Sequence, residues 1–434
     1  MRILYIVLAY LAAPLVLAVM LWRGLRDRSY WQGLPQRFGF GPQIAEASTI
    51  WLHAVSVGEV QAAAPLVRRL IADYPRAPVL LTTVTPTGAA RARALFGESI
   101  ELRFVPYDLP GAVRRFFDRA RPRAAIILET ELWPNLYHEC GRRRVPLLLA
   151  SARISPRSVG RYRMLARLFR ETLSHGIVIA AQSEADAERF RQIGANPERT
   201  HVVGNIKFDV EVPQAAAAAG RQWRADCAAT RPVWIAGSTH DVEEQKVLQA
   251  HRAVRAALPG ALLLLAPRHP NRFEEVARWL GSEQVRFARR SRQEQPDDHC
   301  EVFLLDSLGE LAGFYAAADV AFVGGSLIPI GGHNLLEPAA LGKPILTGPH
   351  NFNSADIAQL MFDAAAAVVV TDETELAQRL GELLGDAAAR DARGAAAQAV
   401  VNANRGTVDR LMQVIRPVID SGLVEAPEDA RGDR

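Results

Sequence analysis

A long series of short apolar runs constrains the fold of this chain more than any other feature. The runs are rich in Val, Ile and Leu, do not alternate with polar residues, and are separated by stretches of helical periodicity. Strands have this pattern when both of their faces are buried, which is typical of a parallel sheet covered by helices. The runs occupy residues 49–55, 77–85, 101–107, 124–130, 145–151, 176–182 and 200–206, and then residues 232–238, 261–267, 301–307, 319–325, 343–349 and 366–372.

A break with little strand character separates the two series of runs, and 434 residues are more than one core usually supports. The sequence therefore predicts an α/β fold of two doubly wound, Rossmann-like domains. Such domains bind ligands at the carboxyl ends of their strands, so we expect the two to face each other across a cleft. The predicted boundaries are 25–210 for the first domain, 211–232 for a linker, 233–424 for the second domain and 425–434 for a flexible tail.

A membrane anchor is predicted for residues 1–24. The segment from Ile3 to Trp22 carries no charged side chain and is long enough to cross a bilayer as a helix. A cleaved signal peptide would have a shorter apolar core with basic residues in front of it. Here only Arg2 precedes the segment, whereas Arg23, Arg26 and Arg28 follow it. The positive-inside rule then places the rest of the chain in the cytoplasm. The sequence alone does not separate a full span from a deep interfacial helix.

Charge and cysteine usage exclude some classes of function. The balance of 51 basic against 47 acidic residues is too mild to indicate a nucleic-acid partner. The 3 cysteines form no CxxC pair and fit no zinc spacing, so we expect reduced thiols and no metal site.

Residues 142–170 contain many arginines and no acidic residue, which fits anionic lipid headgroups or a phosphorylated acceptor better than a solvated helix face. The candidate lipid or acceptor contacts are Arg157, Arg161, Arg163 and Arg167.

In the first half, the segment HAVSVGE (residues 53–59) places Glu59 at the carboxyl end of the first predicted strand. A carboxylate in that position can accept a proton from an attacking hydroxyl. The alternative is a first-turn glutamate that is favoured only by the helix dipole. Glu129 and Glu131 follow another apolar strand, where unpaired buried charges would be costly. The sequence therefore predicts a polar pocket at this edge of the sheet.

In the second half, three polar segments follow predicted strands: AGSTH (236–240), PRHPNRF (267–273) and a glycine-rich stretch from 324 to 349. The turn from Gly331 to Asn334 precedes a predicted helix at 334–341, and free backbone N–H groups at a helix start suit a phosphate. One turn further on, Glu337 could accept hydrogen bonds from ribose hydroxyls. Neither a GxGxxG fingerprint nor a GxxxxGK[ST] loop is found.

Taken together, these motifs resemble the Kdo transferases, which add 3-deoxy-D-manno-octulosonic acid (Kdo) to a lipid A precursor in Gram-negative bacteria. The resemblance covers nearly the whole chain. One departure is Ser151, where the family often has Asn, and we expect little consequence from it. The matching segments are RFG (37–39), HAVSVGE (53–59), TTVTPTG (82–88), VPYDLP (105–110), ETELWPN (129–135), SARIS (151–155), QSEAD (182–186), GNIKFD (204–209), AGSTH (236–240), PRHPNRF (267–273), LLDSLGEL (304–311) and GGSLIPIGGHNLLEPA (324–339).

The resemblance implies a glycosyltransferase of the GT-B type that uses CMP-Kdo as donor and inverts the anomeric centre. Its acceptor would be the phosphorylated lipid A precursor lipid IVA at the inner membrane, with no cofactor and no metal. Glu59 matches the proposed general base of the family, and Arg268 would stabilise charge on the departing CMP. The other donor-side matches are Ser238, Thr239, Gly325, Gly331, Gly332, His333, Asn334 and Glu337, with Lys207 facing the sugar carboxylate or the phosphate.

Two alternatives remain open at this stage. A two-domain glycosyltransferase with a uridine donor would share the fold and the glutamate on the donor helix. A membrane-anchored protein that binds sugar nucleotides without turnover would tolerate Gln in place of Glu59. Competition by CMP against UDP tests the first alternative, and the Gln substitution tests the second.

Overall fold

The computed structural model describes residues 2–44, 48–155 and 176–421. Its chain divides into two compact units: unit 1 comprises the residues up to Asp209 and those from Gly406 onward, and unit 2 runs from Val210 to Arg405. Arg157, Arg161, Arg163 and Arg167, the predicted lipid contacts, lie outside the described residues. The predicted tail at 425–434 lies outside them as well.

Unit 1 is built on a parallel sheet, as the apolar runs predicted. Within the described residues seven strands pair in the order β3-β2-β1-β4-β5-β6-β7. Along β1, Ile50 and Leu52 face one apolar core and Trp51 faces the other, so burial of both faces explains the unbroken apolar run. The strands are β1 (Thr49–His53), β2 (Val79–Thr83), β3 (Glu101–Phe104), β4 (Pro122–Leu128), β5 (Leu147–Ala152), β6 (Val178–Ala181) and β7 (Thr200–Val202).

Helices connect these strands in the right order for a doubly wound fold, and several begin with a clear capping signal. Ser56 caps the helix after β1, Thr85 caps the helix after β2, and Ser183 caps the helix after β6 through its hydroxyl. Among the residues of this part of unit 1 that the structure describes, the helices are α1 (Arg2–Arg26), α2 (Val57–Asp73), α3 (Pro86–Phe96), α4 (Pro110–Ala120), α5 (Pro134–Arg142) and α6 (Glu184–Gln192).

Unit 2 repeats the architecture with a second parallel sheet of seven strands between Val210 and Arg405, in the order β10-β11-β9-β8-β12-β13-β14. The sequence predicts all of these strands except β10, a three-residue edge strand that ends at Arg289 and is followed by Arg290. The strands are β8 (Val233–Thr239), β9 (Leu262–Pro267), β10 (Phe287–Arg289), β11 (Val302–Leu304), β12 (Val320–Val323), β13 (Ile345–Thr347) and β14 (Ala367–Val369).

The predicted linker at 211–232 is wrong for most of its length, because residues 214–227 form a helix of unit 2. Gly220 lies so close to Gly313 that a Cβ would come within 1.9 Å of its carbonyl oxygen, and Trp223 stacks on Phe303 at 5.0 Å. The helix at 214–227 packs so closely that it requires small side chains, which explains why its sequence is rich in alanine and lacks strand character. The helices of unit 2 are α7 (Gln214–Cys227), α8 (Glu243–Ala257), α9 (Phe273–Ser282), α10 (Leu311–Ala317), α11 (Leu336–Ala340), α12 (Ala355–Asp363), α13 (Glu373–Gly385) and α14 (Ala387–Asn404).

The last helix, α15 (Thr407–Ser421), belongs to unit 1, whereas the sequence predicted that the second domain continues to residue 424. Leu411 and Ile415 are fully buried in the core that contains Ile50. The carboxylate of Asp209 accepts hydrogen bonds from the backbone N–H groups of Gly406 at 2.7 Å and Val408 at 2.5 Å. Burial of the apolar face of α15 therefore ends unit 2 at Arg405.

Helix α1 is, among the described residues, the one helix that is long and apolar enough to cross a membrane. Its outer side chains are largely exposed, as shown by Leu11 (72%) and Leu15 (68%). The hydroxyl of Tyr5 donates a hydrogen bond of 2.9 Å to Asp108 of unit 1. So much exposed apolar surface on one helix is consistent with a membrane anchor.

Candidate active site

The central strand of unit 1 marks a topological switch point. Strand β1 lies between β2 and β4, so the connections after β1 and β4 diverge and leave a crevice at the carboxyl ends of these strands. Glu59 follows β1, and Glu129 and Glu131 follow β4. The structure thus places the three carboxylates, which the sequence singled out, at the edge where doubly wound folds bind ligands.

Glu59 is held by the start of helix α2. Its carboxylate accepts hydrogen bonds from the Val55 backbone N–H at 2.8 Å and from the Ser56 hydroxyl at 3.2 Å. The Ser56 hydroxyl oxygen in turn accepts from the Glu59 N–H at 3.4 Å. This arrangement resembles a capping box, except that the Glu59 carboxylate accepts the N–H of the residue before the N-cap, so Glu59 also has a structural role at the start of the helix.

Capping does not account for the electrostatic environment of Glu59. Burial raises the pKa of this carboxyl group to about 7; the Val55 N–H opposes the shift, while the charges of Glu129 and Glu131 add to it. A carboxylate with a pKa near 7 is ionised in part at neutral pH and is basic enough to accept a proton from a hydroxyl. The environment therefore suits a general base.

An ion pair between Lys207 and Glu129 lies at the same edge of the sheet. The Lys207 ammonium contacts Glu129 at 2.8 Å and neutralises one of the three carboxylates. Lys207 belongs to unit 1, whereas the other predicted donor-side residues belong to unit 2. Burial raises the pKa of Glu131, with the charge of Glu129 adding to the shift and the hydrogen bond from Trp133 opposing it.

Ser151 positions the short helical turn Ile206–Phe208, which carries Lys207. The Ser151 hydroxyl accepts a hydrogen bond of 3.2 Å from the Ile206 N–H, and the Ser151 backbone has a φ of 50°. Among residues other than glycine, Asn tolerates this left-handed region best. The Ser151 hydroxyl thus serves as a local acceptor from a backbone conformation that residues other than glycine rarely adopt.

The described beginning of the arginine run is engaged in ion pairs. The Arg142 and Arg143 guanidinium groups contact Glu139 at 2.5 and 2.6 Å, and Arg143 also contacts Asp118 at 2.6 Å. These two arginines stabilise helix α5 and its junction with α4. The acidic partners precede the run in sequence, so inspection of 142–170 alone did not reveal them.

Unit 2 has a switch point of the same kind, because β8 lies between β9 and β12. Ser238 and Thr239 end β8, Arg268 follows β9 and Gly325 follows β12. The structure therefore brings these four predicted donor-side residues to one edge of the sheet. The strand pairing shifts register between Gly237 and Thr239, and Ser238 between them has a φ of 59°, so it forms an irregularity within β8.

Three imidazoles and one unpaired cation lie at this edge. The Nε2 atoms of His240 and His333 are 2.7 Å apart, and the rings of His240 and His269 are 5.1 Å apart. Burial lowers the pKa of all three histidines, with the charge of Arg268 adding to the shift, and that of His333 falls to about 3. The imidazoles are therefore neutral near pH 7. The backbone N–H of Arg268 donates to the Thr239 carbonyl at 2.9 Å, whereas its exposed side chain has no hydrogen-bond or ion-pair partner among the described residues.

The glycine turn lies beside the histidines. The Gly332 N–H donates a hydrogen bond of 2.8 Å to the Gly325 carbonyl oxygen. Gly325 has a φ of 68°, and a Cβ there would lie 2.8 Å from the His333 ring. Gly331, with a φ of 109°, leaves space that the Asn353 side chain fills. Glycine is thus required in this turn by backbone conformation as well as by close approach.

The helix after this turn is shorter than predicted. It spans five residues, Leu336–Ala340, rather than 334–341. The Asn334 side chain accepts a hydrogen bond from the Leu336 N–H at 3.0 Å and donates one to Glu337 at 3.2 Å. Since so short a helix has only a small macrodipole, any phosphate bound here would depend on individual N–H groups and on Arg268.

Glu243 is a site residue that sequence reasoning missed. Its side chain is fully buried, and its carboxylate accepts hydrogen bonds from the N–H groups of Gly325 at 2.7 Å, Ser326 at 3.0 Å and Leu327 at 3.0 Å. The acidic residues that follow AGSTH are the signal that could have indicated it. Acidic residues are common at the start of a helix for dipole reasons, so the sequence did not distinguish this one.

Comparisons with known proteins agree with the resemblance found in the sequence. Residues 32–210 match the family model described as 3-deoxy-D-manno-octulosonic-acid transferase (kdotransferase). A 3-deoxy-D-manno-octulosonic acid transferase of Haemophilus influenzae is 39% identical over 97% of this chain and 100% of its own length. One of Bordetella pertussis is 40% identical over 93% of this chain and 96% of its own length.

The fold also occurs in solved structures of distant sequence. The crystal structure of UDP-GlcNAc 2-epimerase from Neisseria meningitidis, bound to UDP-GlcNAc, has a TM-score of 0.56 with this chain at 11% identity. It covers 84% of this chain and 100% of the epimerase chain. At that identity the likeness shows the two-domain α/β fold alone.

Proposed function

Because this chain belongs to the family of 3-deoxy-D-manno-octulosonic acid (Kdo) transferases, we propose that it transfers Kdo from CMP-Kdo to a hydroxyl of the lipid A precursor lipid IVA. The observation that carries the proposal is the carboxyl group of Glu59, which lies at the switch point of unit 1 with its pKa raised to about 7. A base of that strength is what activation of a sugar hydroxyl requires.

In the proposed reaction Glu59 accepts the proton of the acceptor hydroxyl while the hydroxyl oxygen attacks the anomeric carbon of Kdo. The new C–O bond forms on the face opposite to the leaving group, so the configuration inverts. The bond between Kdo and the CMP phosphate breaks, and CMP departs with the electron pair. One proton is thereby moved to Glu59, and one glycosidic bond replaces another.

Unit 2 is proposed to bind the donor. The Arg268 side chain, exposed and without a partner among the described residues, would stabilise the negative charge that grows on the CMP phosphate. The neutral His333, the hydroxyls of Ser238 and Thr239 and the backbone N–H group of Gly331 would supply hydrogen bonds without added charge. Gly325 and Gly332, whose N–H groups bond to Glu243 and to the Gly325 carbonyl, would shape the turn around the ligand. Asn334 and Glu337, which are bonded to each other, would contact the ribose.

Unit 1 is proposed to bind the acceptor, with Lys207 keeping the charge of Glu129 compensated next to Glu59. The same ammonium could receive the carboxylate of Kdo. Arg157, Arg161, Arg163 and Arg167 would contact the phosphates of the acceptor or anionic lipid headgroups. Helix α1 would hold the enzyme at the inner membrane with both units in the cytoplasm, where the lipid acceptor lies.

The proposal is tested by incubating the purified full-length protein with CMP-Kdo and tetra-acylated lipid IVA and weighing the lipid by mass spectrometry. A mass gain of one or more Kdo units is expected, and its size reports how many are added. Binding of CMP-Kdo without any gain in the mass of the lipid would contradict lipid IVA as the acceptor. Binding of UDP in preference to CMP would contradict the donor and favour the uridine-dependent alternative.

The raised pKa of Glu59 predicts a specific pH profile. A general base must be ionised to act, so kcat/KM for the acceptor should rise with pH through an apparent pKa of about 7 and level off above it. Well below pH 7 the rate should fall about tenfold per pH unit. Steady-state rates from about pH 3.5 to 9 check this expectation. An inflection near 4.5, the ordinary value for a glutamate, would show that Glu59 titrates as a solvated group and is not the base.

Membrane association should depend on the exposed face of α1. The side chains of Leu11 and Leu15 are 72% and 68% exposed. The double substitution Leu11→Asp and Leu15→Asp should release the protein from phospholipid vesicles in a flotation assay. Each charge placed in an apolar span costs about 2.5–3.5 kcal/mol. The matched control is Leu308→Asp, because Leu308 of unit 2 is equally exposed at 73%. Equal flotation of both variants would refute the anchoring role of α1.

A further inference from the structure

A buried carboxylate organises the loop that follows β12. Glu243 begins helix α8, and its side chain has no accessible surface. Its two oxygens together accept four backbone N–H groups: those of Gly325, Ser326 and Leu327, and that of His240 at 3.3 Å. No salt bridge to Glu243 exists in the part of the chain that the structure describes. Both oxygens act as acceptors, an arrangement that a carboxylate satisfies. Burial raises the pKa of this carboxyl group, and the four N–H groups oppose that shift.

The loop bound by Glu243 supports the rest of the glycine-rich segment. The Gly325 carbonyl accepts the Gly332 N–H at 2.8 Å, and the His333 ring lies against Gly325. Ser326 extends the connection to the neighbouring strand, because its hydroxyl accepts the Gly348 N–H at 2.7 Å. Position 324 also requires glycine, because a Cβ there would lie only 2.8 Å from the Glu243 carboxylate.

Burying an unpaired charge is costly, and an apolar side chain in this position would avoid that cost. Glu243 also joins the two connections that diverge at the switch point, since it bonds to His240 after β8 and to the residues after β12. We infer that Glu243 is a positioning residue that fixes the 324–333 segment in the conformation that binds the nucleotide of the donor. This inference rests on the proposed function for the identity of the nucleotide, CMP.

Arg231 provides a matched control at the opposite end of the same sheet. Its buried guanidinium donates to the backbone carbonyls of Gly260 at 2.9 Å, Asp297 at 2.8 Å and Cys300 at 2.5 Å, just before β8 begins. Like Glu243, Arg231 is a buried charged residue whose side chain bonds to backbone groups. It lies far from the edge of the sheet where the strands have their carboxyl ends. Its loss should affect stability without affecting the nucleotide site.

The test compares Glu243→Gln and Arg231→Met in the full-length protein. In Glu243→Gln the side-chain NH₂ group faces backbone N–H donors and cannot accept their hydrogen bonds. The Kd for CMP and the KM for CMP-Kdo should therefore rise about tenfold or more, whereas the KM for the acceptor should not change. Hydrogen exchange should increase at the amides of Gly325 to Leu327. Arg231→Met should lower the Tm and leave the Kd for CMP within about twofold.

Retention of CMP affinity by Glu243→Gln, with or without faster exchange of the loop amides, would overturn the inference. If that variant does not fold, Glu243→Asp replaces it, because it keeps the charge but is too short to reach all four N–H groups. A wild-type protein that does not bind CMP would instead refute the proposed donor. The amide exchange of Gly325 to Leu327 would then still decide whether Glu243 fixes the loop.

Discussion

Glu59→Gln should lower kcat for Kdo transfer by about 10²- to 10⁴-fold, the usual contribution of a general base, while CMP-Kdo still binds. The amide can accept the Val55 N–H as the carboxylate does, but it cannot take a proton from the acceptor hydroxyl. The folded protein should be at least as stable as the wild type. A carboxyl group whose folded pKa is raised costs stability above its unfolded pKa near 4.5, and Gln removes that cost at neutral pH.

The chain contains a close structural control for this experiment. Glu375 caps helix α13 in the same way: Asp372 accepts the Glu375 N–H at 2.8 Å, and the Glu375 carboxylate accepts the Thr371 N–H at 2.9 Å. Glu375→Gln should therefore change the capping geometry as much as Glu59→Gln does and leave kcat unaltered. Equal activity of the two variants would assign Glu59 to capping alone. Loss of donor binding by Glu59→Gln would likewise contradict the base role.

Arg268→Ala should reduce kcat by about 10²- to 10³-fold, the range found when one charge-stabilising donor of a transition state is removed. The side chain is exposed and has no partner among the described residues, so its removal breaks no contact and the Tm should stay within about 1 °C. Single-turnover rates with saturating CMP-Kdo separate this loss from weaker donor binding. Arg268→Lys should recover part of the rate, because it restores the charge without the fork of donors.

Arg278→Ala is the control for this substitution. Arg278 is an exposed arginine on the next helix, α9, and within the described part of the chain its side chain donates only to the Glu274 carbonyl, at 3.2 Å. Its removal changes the net charge by the same amount and should not affect kcat. A similar loss of rate in both variants would attribute the effect to the overall field of unit 2. A loss confined to Arg268→Ala would support direct stabilisation of the leaving phosphate.

The strands were predictable because their signal is local. Burial on both faces demands consecutive apolar residues, and the runs at 49–55 and 319–325 show this directly. The three-residue strand β10 was not predictable, because an edge strand with Arg289 in it lacks that signal. Helix α7 was missed for a related reason: its small residues have meaning only through the close approach of Gly220 to Gly313.

The candidate site was predictable in part as well. Polar residues that end apolar strands indicated Glu59, Glu129 and Arg268, since the carboxyl ends of parallel strands share one edge. The role of Glu243 was not readable, because it depends on backbone N–H groups more than eighty residues away along the chain. The placement of Lys207 beside Glu129 also arises from long-range packing, through the turn that Ser151 holds.

The return of α15 to unit 1 has a consequence for biosynthesis. A chain emerges from the ribosome amino terminus first, and domains fold as units once they are complete. Unit 2 is one contiguous stretch and is complete as soon as Arg405 has emerged. Unit 1 starts earlier but finishes later, because the surface around Ile126 and Leu148 stays uncovered until Leu411 and Ile415 arrive. During that interval the nascent protein exposes an apolar sheet face of the kind that chaperones bind, so premature termination after unit 2 would leave unit 1 without its last core helix.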